Sequence, residues 1–379
     1  MTAAAPTAPP PTFAFLVHPR SEVAPDMARV WSPLGVVPEK VWQWGLRHLP
    51  VPPLPLARVH QRREHPADGD VAAAGPDLLG HVLVVPVGAR QLLTEDRRWV
   101  LGKIEQAVDR AVELGASVVG LGALTAPATA GGRLLRERPG VTLTTGNAFT
   151  AHLTVEALRR LVPVAPGGHI AVVGATGSVG SCVVRLLADE PIGTELTLVA
   201  REPKRLASLA HEVAATLTSR GRPMAVHTAR TVAAVREADL VLVLTSASDA
   251  LLRGEHLKPG AVVLDDTQPR NTDPALARER PDVLVVDGGI AEIPGIDVRG
   301  DIGLPRGLAY ACLCETMLMA LDGHRAHAVG AADVGHARRM RDVARRHAHL
   351  GFTLAEPALS FGRPIPWPSA TPVLASGVR

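Results

Sequence analysis

The chain has 379 residues, of which 46% are hydrophobic and only 3% aromatic, and 40 Lys and Arg stand against 37 Asp and Glu for a formal charge of +3. That length suits two domains, each with a core of its own, and so small and dispersed a positive charge excludes an electrostatic nucleic-acid binder. The cysteines, Cys182, Cys312 and Cys314, are too few for a disulfide framework, no apolar run reaches the roughly 18 residues of a membrane span, and a secretory signal is missing. A soluble, cytoplasmic protein with no membrane span and no nucleic-acid partner is therefore expected.

Residues 1–12 are rich in Pro and Ala and are expected to be disordered. Residues 13–17 read as a short strand running into His18. Residues 50–75 begin Pro-rich, continue charged and read as a loop or insertion, and 81–87 read as a strand that Pro86 confines to an edge or an end. Val100, Ile104, Ala107, Val108, Ala111 and Leu114 recur on one helical face within 97–114, and Gly115 stands where a C-terminal cap belongs. Residues 118–121 read as a strand. The stretch Thr144-Thr145-Gly146-Asn147 then leads into a helix over about 150–161. Its hydroxyls and amide suit a helix cap, and equally suit a site for a carbonyl, an amide or a phosphate.

The most informative stretch follows Pro166-Gly167-Gly168. Residues 170–173 are an apolar, β-branched run, and Gly174, Gly177 and Gly180 follow it at G-x-x-G-x-x-G spacing before a helical pattern from Cys182. A glycine-rich turn between strand and helix lets the backbone approach a pyrophosphate at the helix N-terminus. Thr176, Ser178 and Val179 complete the candidate cradle. The next strand, 196–199, ends in Ala200-Arg201 with Lys204 and Arg205 one turn on. An acidic residue there would bind a free ribose 2′-hydroxyl, whereas these cations suit a 2′-phosphate, so the cofactor expected is NADPH. The plainer alternative is a solvated helix start in an α/β domain without a ligand.

Further strands are expected at 224–227, 240–244, 262–264 and 283–286, with helices at 203–220 and 231–238. The strand ends at Thr245-Ser246, Asp265-Asp266 and Asp287-Gly288-Gly289 fall where ligands sit in open α/β sheets, though polar turns would look the same. Residues 308–321 read as a last helix carrying Cys312 and Cys314. Two residues apart, these thiols point about 200° away from each other, which excludes a same-face metal pair. Glu315 shares the face of Cys312. A lone buried cysteine is most often an inert hydrophobe.

Taken together, Thr144–Ala151, Val172–Gly180, Val286–Glu292, Ala311–Met317 and His349-Leu350-Gly351-Phe352 resemble the long-chain acyl-[acyl-carrier-protein] reductase family, in order and spacing, over roughly residues 80–355. The resemblance implies an NADPH-dependent reduction of a fatty acyl thioester to the free aldehyde through an acyl-cysteine intermediate. It places the nucleophile on Cys312, with Ala in familiar members where this chain has Cys314; such a thiol needs a lowered pKa, and a position near a helix start is expected to supply part of the lowering. Acyl carrier protein or acyl-CoA would donate the acyl group, and an aldehyde-consuming enzyme would follow. Thr144, Thr145, Asn147 and Ser246 are candidates to hold the oxyanion or touch the nicotinamide. Glu315 is grouped with the catalytic residues, and His18 is either an acid–base group or a structural histidine. The departures are a loosely matching first hundred residues, a Pro-rich insertion at about 50–78 and the tail beyond 355.

The expected fold is α/β. A substrate-binding domain occupies 13–165, a Rossmann-type doubly wound NADPH domain 166–305, C-terminal helices at 306–361 carry the cysteine back across the cleft, and 362–379 form a Pro-rich tail. The rival readings are a direct NADPH-dependent dehydrogenase of a small ketone or hydroxy acid, of the shikimate dehydrogenase type, and a non-catalytic NADPH-binding partner protein.

Overall fold

The computed structural model describes residues 10–19, 22–30, 32–62, 78–138, 140–165, 167–222, 224–245 and 251–368. Strands β1 (Thr12–Val17), β2 (Leu54–Gln61), β3 (Leu79–Val84), β4 (Val118–Leu121) and β5 (Thr142–Thr144) are interspersed with helices α1 (Val23–Val30), α2 (Glu39–His48), α3 (Ala89–Thr94), α4 (Arg97–Glu113) and α5 (Thr125–Ala128). Helix α6 (Asn147–Leu161) leads to β6 (His169–Val173), α7 (Ser178–Asp189), β7 (Glu195–Val199), α8 (Pro203–Ser219), β8 (Ala225–Ala229), β9 (Leu240–Val243), β10 (Val262–Asp265), α9 (Leu276–Glu279) and β11 (Leu284–Asp287). Next come β12 (Ile290–Glu292), β13 (Ile296–Arg299), β14 (Leu308–Tyr310), α10 (Ala311–Leu321) and α11 (Val334–Arg346), then β15 (Thr353–Leu354), β16 (Ala358–Ser360) and β17 (Arg363–Ile365). Two units share these elements, and both are discontinuous: Met1–Thr150 with Ala291–Thr353, and Ala151–Ile290 with Leu354–Arg379. The division falls inside α6 rather than at residue 165, and 306–353 belongs to the first unit rather than standing as a separate segment.

In the first unit a six-stranded sheet has the order β13-β2-β3-β1-β4-β5. Strands β3, β1, β4 and β5 are parallel, while β2 and β13 run antiparallel at one side. Strand alternation sends Ala14 and Leu16 to one face, where they join Leu83, Val119, Leu121 and Leu143 against Val100, Ile104, Ala107, Val108 and Ala111 of α4. The helical face read from the sequence is thus the buried one. The Asp96 carboxylate caps the start of α4 by accepting the N–H groups of Arg98 and Trp99, and Gly115 ends it at φ +82°. On the other face α10 lies against β4 and β1, where a β-carbon at Gly120 would have no room between the Thr316 hydroxyl and the Phe15 ring.

One expectation changes here. The presumed loop over 50–75 contains β2, in which Ala57 and Val59 are buried with exposed Arg58 between them, a short alternation masked by the prolines before it. Strand β3 lies between β2 and β1 and ends at Val84, so Pro86 falls beyond its end, the second of the two placements expected, and leaves the ladder intact. Residues 1–9 and 63–77, covering most of the expected disordered start and the insertion, fall outside the described residues.

In the second unit six parallel strands have the order β8-β7-β6-β9-β10-β11. Numbered from β6, this is the 3-2-1-4-5-6 order of a Rossmann-type sheet. Val173 sits between Val199 and Val243 in register, so the turn after β6 opens at the point where the strand order reverses. The expected fold class, α/β with a doubly wound Rossmann-type sheet, is the one observed. The helix expected at 231–238 is a single 3-10 turn, Val232–Val235. Part of the presumed tail is also ordered: β16 and β17 extend this sheet antiparallel beyond β11. Asp287 holds their turn by accepting the N–H groups of Phe361 and Gly362 while forming a two-pronged pair with Arg270. Among the described residues no helix is long and apolar enough to cross a membrane.

Candidate functional site

The glycine turn of the second unit is built by close contact. Gly174 has φ +89°, and a β-carbon there would lie 2.6 Å from the Leu244 carbonyl oxygen, at the end of neighbouring β9. At Gly180 a β-carbon would run into the Gly174 carbonyl, so α7 packs directly on the turn. Gly177 is the N-cap of α7 and offers no capping side chain. First-turn N–H groups, notably those of Val179 and Gly180, therefore face the turn without a side-chain acceptor of their own. A concave turn without β-carbons, opening on a helix start at the switch point, fits a dinucleotide pyrophosphate. Thr176 and Ser178 lie in this turn, as expected.

Of the cations beyond β7, Arg201, Lys204 and Arg205 are all exposed. Arg205 donates to the Thr176 carbonyl at 3.0 Å, which ties the basic cluster to the glycine turn. Glu202 is the one carboxylate among them, and it accepts the N–H groups of Lys204 and Arg205 as the N-cap of α8. Thr245 adjoins Gly174, whose β-carbon would sit 3.0 Å from the Thr245 nitrogen; Ser246 lies outside the described residues. Gly288 and Gly289 follow β11. Gly289 has φ +63°, and Gly288 leaves room for the Asp266 carboxyl, which a β-carbon would strike. Asp266 accepts a bond from the Thr154 hydroxyl, its other oxygen is buried without a partner, and burial pushes its carboxyl up to about 7. In the sequence Asp266 stands out only as part of an acidic doublet at a strand end, without a role of its own.

The thiol region lies wholly in the first unit. Residues 308–310 form β14 rather than the start of a helix, so Cys312 becomes the second residue of α10, behind the N-cap Tyr310. Helix α6 also starts earlier than expected, at Asn147. This brings the Thr144–Asn147 stretch against Cys312: Gly146, at φ +73°, leaves no space for a β-carbon between itself and the Cα and Cβ of Cys312. Glu315 fastens the same two segments. It is only 1% exposed, and it accepts the Thr144 hydroxyl at 2.5 Å and the Phe149 N–H at 2.6 Å. Thr145 is buried, and its N–H donates to the Ala328 carbonyl, while Asn147 is half-buried at the first position of α6.

The electrostatics correct one expectation. A cysteine at a helix start was expected to be acidified. Burial instead raises the Cys312 thiol to about 12; the backbone N–H groups of Leu313 and Cys312 bond the sulfur and lower it, and the Glu315 charge raises it further. Desolvation outweighs the helix end. Both Glu315 oxygens are occupied by the Thr144 and Phe149 donors. At His18, Nδ1 lies 2.7 Å from the Pro19 carbonyl and Nε2 accepts the Leu124 N–H at 3.1 Å. Burial lowers its pKa, as suits a neutral imidazole bonded at both nitrogens. Cys182 and Cys314 are buried. A further residue emerges beside Glu315, with no sequence signal to mark it: His336 of α11, whose Nε2 is 3.3 Å from Glu315 Oε1.

Comparison with known proteins gives a broad likeness. No family model matches the chain. Aminotransferase PigE of Serratia sp. (strain ATCC 39006) is 25% identical over 299 residues, covering 75% of this chain and 34% of PigE. The long-chain acyl-[acyl-carrier-protein] reductase of Synechococcus elongatus is 31% identical over 191 residues, 48% of this chain and 52% of the reductase. The chain thus spans about half or less of these curated relatives. Among solved structures, quinate dehydrogenase from Corynebacterium glutamicum in complex with NAD is 13% identical, with a TM-score of 0.36 over 87% of this chain and 98% of that one. That overlay is too loose to add to the fold already read from strand order. The likeness these relatives carry is to NAD(P)-binding, reductase-like proteins.

Proposed function

We propose that this protein is an NADPH-dependent reductase of acyl thioesters that carries its acyl group on Cys312 and releases an aldehyde. One observation carries the reading: Gly146 packs on Cys312 while Glu315 bonds Thr144 and Phe149, so the two segments most particular to the reductase likeness form a single structure around one thiol. Transthioesterification suits such a site, because one thioester replaces another at nearly equal energy. The Cys312 sulfur bonds to the acyl carbon, the donor's carbon–sulfur bond breaks, and the proton passes from the Cys312 thiol to the departing one. A thiol held near 12 is quiescent until a donor brings a proton acceptor with it. Asn147, half-buried at the start of α6, would stabilise charge on the acyl oxygen.

The turn Gly174–Gly180 would hold the dinucleotide's pyrophosphate, and Arg201, Lys204 and Arg205 its 2′-phosphate. When bound, that cofactor supplies the hydride that takes an acyl carbon to the aldehyde level. Acyl carrier protein or acyl-CoA is the donor class this reading implies. The test is intact mass spectrometry of the protein with an acyl thioester and no reductant. The expected result is one acyl adduct, absent from Cys312→Ala and discharged as aldehyde on adding NADPH. Tight NADPH binding without an adduct at any chain length would leave direct hydride transfer or a non-catalytic role.

A further inference from the structure

Glu315 is a buried carboxyl group that accepts two neutral donors, one helical turn from Cys312. Two histidines feel that carboxylate: His324, farther off at the end of α10, and His336, whose Nε2 lies 3.3 Å from Oε1. That nitrogen is buried and makes no aligned hydrogen bond, so the pair is an electrostatic contact rather than a geometric one. We propose that His336 is a positioning residue for the Cys312 nucleophile, acting through Glu315 to set the charge beside the thiol and the pose of the 144–149 turn. The role of Cys312 as nucleophile rests on the function proposed above; the coupling of the three side chains does not.

The surroundings favour this assignment. On α11 itself, the Asp333 carboxylate is engaged in capping by the His336 N–H at 2.9 Å. From the end of α10, the His324 ring lies tilted against His336 with centroids 5.4 Å apart. Burial and nearby Arg339 push His324 below its ordinary value, against the raising charges of Asp322 and Glu315. Asp322 is held by Arg339 and Arg346. The cationic form of His336 would cancel the Glu315 charge, and its loss would leave that charge opposing a Cys312 thiolate.

The test follows iodoacetamide alkylation of Cys312 against pH by peptide mass spectrometry, which needs no acyl substrate; the buried Cys182 and Cys314 serve as internal controls. In His336→Gln, alkylation is expected to slow about tenfold at a given pH, the profile moving up by about one pH unit. His336→Lys should restore most of the rate. Glu315→Gln should shift the profile the opposite way, and adding His336→Gln to it should change nothing more. A profile for His336→Gln that superimposes on the wild type overturns the proposal, and so does a further slowing in the double variant. Denaturant titration of each full-length variant identifies any that has merely unfolded. A shifted profile without an acyl adduct sustains the coupling and removes the acyl-transfer reading instead.

Discussion

Helices α7 and α10 both begin without a capping side-chain bond, and both were expected to use the field of a helix N-terminus. Their surroundings make them opposites. The start of α7 adjoins exposed cations and a turn stripped of β-carbons, a setting that welcomes an anion. The start of α10 sets a half-buried Cys312 between buried Ala311 and Leu313, with a buried carboxylate one turn along, and its thiol is raised rather than acidified. A helix terminus is worth about 0.3–1 kcal/mol to a nearby charge at an exposed position. Burial of an ion costs several times that, so the environment decides the sign.

The sharpest way to break this contrast is Gly146→Ala. A side chain at φ +73° with no room beside Cys312 combines backbone strain with overpacking. A loss of about 3 kcal/mol in stability is expected, read by denaturant titration, together with loss of the acyl adduct. Gly180→Ala should do the converse, weakening dinucleotide binding about 100-fold by lifting α7 from its turn while Cys312 alkylation stays within about twofold of wild type. Equal losses in both measurements would mean that the two regions are not separable. Arg201→Ala is a finer probe: NADPH affinity should fall about tenfold with NADH affinity unchanged, and a parallel fall in both would remove the 2′-phosphate role.

The smallest effect concerns pH. Asp266 is held at about 7 in the folded state, above its unfolded value near 3.9. A raised carboxyl stabilises the fold fully below the unfolded value, and that contribution is lost as pH rises from about 4 through 7. Asp266→Asn should therefore gain stability relative to wild type at pH 8, on the order of 1–3 kcal/mol, and lose the advantage at pH 4. A difference in melting temperature that does not vary with pH would contradict the burial of an ionisable group there.

The same contrast explains what was legible. The second unit was readable because its cradle lies in one contiguous stretch, strand then glycines then helix, whose backbone demands only glycine meets. Apolar runs likewise gave away β6, β7, β9, β10 and β11. In the first unit the helical periodicity of α4 was plain, but β2 hid behind its prolines, and three residues of apparent helix before Cys312 were strand. The thiol region joins residues near 146, 315 and 336 that no local pattern connects. The segments around 146 and 315 stood out through family resemblance; His336 had neither periodicity nor motif to mark it. The acidified thiol was misjudged because enclosure depends on what packs around α10, which its own sequence does not record.

The antiparallel pair β16–β17, pinned on β11 through Asp287 and Arg270, has a consequence for the order in which the protein is made. Each unit is completed by a segment that the ribosome delivers only after part of the other. The parallel sheet must wait, with β11 as a bare edge, while 291–353 is synthesised, and it gains β16 and β17 only after that stretch. An unpaired apolar edge is a template for association with other chains. A gene fragment encoding 151–290 alone would make that transient hazard permanent, so excising the nucleotide unit demands that residues 354–368 be grafted back onto it.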